Sequence, residues 1–164
     1  MVVNFFQRSS IAGVGTLLMA APAIASSGAG TTGVQIFRAV IVTKTSDLDF
    51  GKVLPGTSAA NVTISQGGAR TCATQLRCYG STSAGSFRVV GASDQLVTVA
   101  LARTTVTLSG GTSRNMIVTL ATSTNSLLLA GGAADFTVGG VLRVRANQPE
   151  GSYTGQYLVS VDYQ

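Results

Sequence analysis

The sequence predicts an all-β domain, a sandwich of about eight antiparallel strands, behind a cleavable export signal and an extended N-terminal segment. Three observations predict it. Short apolar–polar alternations recur about every ten residues, glycine pairs punctuate them, and no stretch carries the 3.6-residue period of an amphipathic helix.

The elements follow in order along the chain. Arg8 is the only charged residue before Arg38, and an apolar run from Ile11 to Ala21 follows it. Pro22-Ala23-Ile24-Ala25 then offers a small-x-small site before Ser26, which completes the three-part layout of a secretory signal over residues 1–25. The apolar run is about half the ~20 residues a membrane span needs, and no later segment is apolar enough to span. The stretch from Ser26 to Thr43 is Gly-, Ser- and Thr-rich and then apolar. As one strand at ~3.3 Å per residue it would measure about 60 Å, three times a typical strand. Residues 26–37 are therefore expected as an extended tail, and residues 38–164 as the domain.

Within the domain, Val62 and Ile64 alternate with Thr63 and Ser65, and Phe87 and Val89 flank Arg88. Val97, Val99 and Leu101 form a third apolar row, Val106 and Leu108 a fourth. Met116, Val118 and Leu120 make the fifth, and Leu142, Val144 and Ala146 the sixth. Such alternation marks half-buried strands. Gly67-Gly68, Gly110-Gly111, Gly131-Gly132 and Gly139-Gly140 are read as turns between them. At the end of the sequence Tyr153, Gly155, Tyr157, Val159, Val161 and Tyr163 share one face of a single long strand. Chain ends fray unless tied down, so this strand is expected to be paired.

The chemistry-bearing residues exclude more than they offer. The two cysteines, Cys72 and Cys78, in an exported chain predict one disulfide. The chain has no histidine, which removes the usual general base and leaves a metal site short of ligands. Of the six carboxylates only Asp47 and Asp49 sit close together, too few for calcium, which takes six or more oxygens. Gly28-Ala29-Gly30-Thr31-Thr32-Gly33 has dinucleotide-motif spacing but lacks the strand before and helix after it. The Asn61-Val62-Thr63 triplet lies mid-strand in a chain with a bacterial-looking signal and is read as chance. The tyrosine row at the end is read as core or groove wall rather than a sugar platform. The net charge is +5, but the basic residues are scattered, so no nucleic-acid surface is expected. No catalytic residue, cofactor or metal is expected, and the chain is not read as an enzyme.

Two blocks carry a resemblance. Thr45-Ser46-Asp47-Leu48-Asp49-Phe50-Gly51 is the first. The second is Phe136-Thr137-Val138-Gly139-Gly140-Val141-Leu142-Arg143-Val144 with Gly151-Ser152-Tyr153-Thr154-Gly155-Gln156-Tyr157-Leu158-Val159-Ser160-Val161-Asp162-Tyr163. Together they resemble the bacterial domain-of-unknown-function family 4402, which looks like pilin subunits of the chaperone–usher kind, in the archaic class related to spore-coat-U-type proteins. Pilins of that class carry a glycine fourteenth from the end and a penultimate tyrosine; Gly151 and Tyr163 hold those places. The resemblance implies an immunoglobulin-like, pilin-like sandwich left incomplete by one strand. It makes Gly151, Tyr153, Gly155, Tyr157, Val159, Val161 and Tyr163 the strand that pairs with a periplasmic chaperone and borders the groove. It makes residues 26–37, with Val34, Ile36 and Phe37, the donor segment for the next subunit. The implied partners are other copies in a surface fibre (fimbrium), the chaperone and an outer-membrane usher. The implied location is the periplasm and then the cell surface. The competing expectation is a self-contained secreted or surface binding module, an adhesin or lectin-like domain with its tail folded on its own groove.

The leader yields the first test. Cleavage is expected after Ala25, so mass spectrometry of the exported protein should find Ser26 at its start; an intact peptide containing Met1 or Phe5 outside the cytoplasm would overturn the assignment.

Overall fold

The longest strand of the domain has twelve residues. In the computed structural model, which describes residues 28–110 and 114–164, this strand is β11, Ala133–Val144. The proposed leader, with Ala25, lies outside the described residues. Residues 35–164 form one compact unit. Residues 28–40 carry no strand.

Twelve further strands precede and follow β11. They are β1 (Ile41–Ser46), β2 (Lys52–Leu54), β3 (Ala60–Ile64), β4 (Arg70–Cys72), β5 (Arg77–Tyr79) and β6 (Gly85–Val90). Then come β7 (Leu96–Leu101), β8 (Thr105–Gly110), β9 (Met116–Thr122), β10 (Ser126–Leu128), β12 (Tyr153–Thr154) and β13 (Val159–Tyr163). A 3-10 turn over Ala130–Gly132 is the one helical element among the described residues. The fold is all-β, as expected. Eight strands have five residues or more; the five shorter ones are too brief for alternation to register in the sequence.

Every pairing is antiparallel. β11 is bonded on both edges. Its first half pairs with β6, its second half with β3, and its centre pairs with β9 on the other side. A curled eight-stranded sheet grows from it in the order β1-β6-β11-β9-β8-β12, with β3 and β4 attached at the β11 end that β6 leaves free. A second sheet runs β10-β7-β13, and β2 and β5 form a ribbon. One core joins them. Val62, Ile64, Phe87, Val89, Val118, Phe136 and Val138 of the large sheet are buried with Val97 and Val99 of β7. Phe87 and Phe136, cross-strand neighbours, stack with ring centroids 5.2 Å apart.

Two expectations are corrected. Gly139-Gly140 is not a turn; both glycines lie inside β11 at the point where the partner on one edge changes from β6 to β3. A Cβ on Gly139 would stand 2.6 Å from the Ile64 carbonyl oxygen, so close backbone approach is what selects glycine here. The segment Tyr153–Tyr163 is not one strand either. It pairs with β8 as β12, leaves strand geometry from Gly155 to Leu158, and pairs with β7 as β13. The alternation survives the break: Tyr153, Tyr157, Val159, Val161 and Tyr163 are half-buried, and Thr154, Gln156, Leu158, Ser160 and Asp162 are exposed.

Cys72 and Cys78 are joined, as expected, and the bond links β4 of the large sheet to β5 of the ribbon. It therefore fastens the large sheet to the ribbon. Arg70 adds to the fastening, donating from Nη1 to the carbonyls of Tyr79 (2.9 Å) and Phe50 (3.3 Å). Replacing both cysteines with serine should cost about 2 kcal/mol in urea titration, since the closed loop is short. Amide exchange should quicken in β2 and β5 while β9 and β11 stay protected. Two alkylatable thiols in the native protein would contradict the bond.

Candidate functional site

A groove of about 910 Å³ runs along the domain between two chain segments. One wall is residues 47–55, which includes β2; the other is residues 148–157, which includes β12. Its floor is the buried Met116, Val118 and Leu120 of β9 and Leu142 and Val144 of β11, with the half-buried Val106 and Leu108 of β8 packed against them. Each wall carries a strand that ends its sheet. β2 pairs only with β5, and β12 only with β8. End strands present unpaired N–H and C=O groups to whatever lies alongside. The volume falls in the ~300–1,000 Å³ range of ordinary ligand pockets, so size alone does not choose between a small molecule and a peptide.

The local sequence explains the walls. Asp49 Oδ1 accepts the Gly51 N–H (2.8 Å), and Asp49 exchanges backbone bonds with Ser83 (2.9 and 3.2 Å), which turns the chain out of β1 and into β2. Asp47 pairs with Lys44 at 2.6 Å, but both side chains are more than half exposed and the pair contributes little. These are turn-forming and surface roles. Among the described residues no three His, Cys, Asp or Glu side chains gather as a metal-holding group.

The second wall is locked from inside. Gln148, 6% exposed, donates from Nε2 to the Arg114 carbonyl (2.6 Å) and to Tyr153 Oη (3.0 Å), and Tyr153 in turn donates to the Pro149 carbonyl (2.9 Å). Tyr157 lays its edge on Phe87, with centroids 6.0 Å apart, and its hydroxyl sits over Gly85, where a side chain would collide with it. That hydroxyl is buried with no hydrogen-bond partner among the described residues. Burial, and secondarily the negative charge of Asp47, raise its pKa above the ordinary 10.0.

The expected pairing residues thus separate into two groups. Gly151, Tyr153, Gly155 and Tyr157 line the groove. Val159, Val161 and Tyr163 belong to β13, which pairs with β7 on one edge and ends its sheet on the other. Val34 and Ile36 are 87% and 88% exposed. Phe37 stands apart from them: its ring centroid lies 5.5 Å from that of Tyr163. The wall over residues 47–55 and the Gln148 lock were missed. Their only signals were a short Asp-x-Asp-x-Gly turn and the Gln148-Pro149-Glu150-Gly151 run, neither of which shows what it faces.

The site and fold define a class: an all-β, disulfide-fastened domain with an apolar groove walled by end strands. Residues 40–163 match the domain of unknown function DUF4402, and the chain belongs to that family. No curated protein and no solved structure matches it.

Tyr157 yields a pH test. Its raised folded pKa means that the unfolded chain ionises first, so its contribution to stability is intact below about pH 10 and declines as the pH rises further. In urea titrations between about pH 9 and about pH 11, wild type should lose stability relative to Tyr157→Phe. A constant difference would show that the hydroxyl is not desolvated.

Proposed function

We propose that the chain is an exported structural subunit of a surface fibre, an immunoglobulin-like, pilin-like sandwich that takes residues 26–37 of a second copy into its groove. The observation that carries this reading is the groove itself: core residues for a floor, and on each side a strand with an unpaired edge. A strand laid there gains backbone bonds from the walls, while alternate side chains meet the apolar floor. Residues 26–37 suit the role by composition. They hold no charged residue, so none is buried unpaired, and they place exposed Val34 and Ile36 two apart. The half-buried inward faces of Val159 and Val161 fit a sheet that another chain completes.

In this reading a periplasmic chaperone and an outer-membrane usher handle the subunit before the fibre forms, as the resemblance to pilins implies. The chain acts by assembly and carries no catalytic role. No helix among the described residues is long and apolar enough to cross a membrane.

Deleting residues 26–37 should leave a subunit that does not polymerise and is readily proteolysed, and a synthetic peptide of those residues should restore its resistance. Val161→Asp should also damage the subunit, because an unpaired charge buried against the core costs several kcal/mol. A tail-deleted protein that is a stable monomer with an unchanged urea midpoint would replace strand donation with a self-contained binding module.

A further inference from the structure

The donor segment offers two faces to a groove, and composition does not choose between them. Ile36 and Val34 lie on one, Phe37 and Gln35 on the other. The root of the segment makes the choice. Tyr163 Oη donates to the Arg38 carbonyl at 2.6 Å and accepts the Ala92 N–H at 2.6 Å, and the Tyr163 ring faces Phe37. Gly91 leaves room for this hydroxyl; a Cβ there would lie 2.5 Å from it. The contact spans 125 residues of sequence, so it is tertiary and fixes where the segment leaves the domain.

We propose that Tyr163 is a positioning residue that anchors the root of the N-terminal segment, holding Phe37 on its own subunit and assigning Val34 and Ile36 as the side chains given to the next. This rests on the strand-donation reading and adds which face is donated. Two physical points support it. Phe37 already has an aromatic partner, and drawing it into a neighbour's groove would break that contact. Val34 and Ile36 hold almost no contact to lose, being 87% and 88% exposed, and they recur at the two-residue period a strand presents to one surface.

The test uses the full exported chain with Val34→Ser, Ile36→Ser, Phe37→Ala and Tyr163→Phe. Two readouts are taken on each: the polymerised fraction, and the rate of tryptic cleavage after Arg38 relative to cleavage after Arg103. Val34→Ser and Ile36→Ser should lower polymerisation at least tenfold and leave the Arg38 cleavage ratio unchanged. Phe37→Ala and Tyr163→Phe should raise that ratio about fivefold, the effect of one lost hydrogen bond or ring contact on local opening. Phe37→Ala should keep most polymerisation. Tyr163→Phe retains the ring, so a ratio close to wild type there would show that the hydroxyl anchors nothing and would overturn the proposal. Loss of polymerisation in Phe37→Ala equal to that in Ile36→Ser, with no change after Arg38, would also overturn it and would make Phe37 an inserting residue, leaving strand donation intact. Unaltered polymerisation in all four variants would overturn the proposal together with strand donation.

Discussion

β11 is paired along nearly all of one edge and over Val138–Arg143 on the other, and the large sheet is built around it. Its two halves serve different partners on one edge, β6 and then β3, while β9 covers its centre on the other. This arrangement needs backbones to approach at the changeover, which only residues without side chains permit. The curl of the large sheet and the position of the groove floor follow from it, since Leu142 and Val144 of β11 and their neighbours on β9 are that floor.

The groove is a consequence of where the chain changes sheets. After β11 the chain turns back, lays Tyr153 and Thr154 on β8, and then crosses to β7 as β13. On the opposite side the chain leaves the large sheet after β1, and β2 pairs with β5 in a ribbon held by the Cys72–Cys78 bond and by Arg70. Two departures in different directions leave core side chains between them without a strand on top. A folded domain normally covers such edges, and in the proposed fibre the donated segment covers this pair.

Polar groups hold this arrangement in specific places. Gln148, Tyr153 and the carbonyls of Arg114 and Pro149 lock one wall, and the Tyr157 hydroxyl sits over Gly85 with no hydrogen-bond partner among the described residues while its ring packs on Phe87. At the far end Tyr163 joins the last strand to the chain entering the first. The tyrosines of the terminal segment are thus structural wedges with engaged hydroxyls or rings, consistent with a groove wall.

The fold class was legible in the residues because alternation is a local property. Val62 and Ile64, Val97 and Val99, Met116 to Leu120, and Leu142 and Val144 all face the core as their spacing requires. The disulfide was legible from cysteine count. Gly139-Gly140 was misread because a glycine pair has the same local signature in a turn and at a close approach; only the strands on either side distinguish them. The break at Gly155–Leu158 was invisible because alternation continues through a change of sheet, each sheet keeping the same inward face. The sequence by itself determined the all-β class, the buried faces of the longer strands and the one covalent link, all set by side-chain chemistry within a few residues. Only the tertiary structure decided which strands ended their sheets, that a groove lay between β2 and β12, and that Tyr163 met Arg38, because these depend on backbone groups and side chains far apart in the chain.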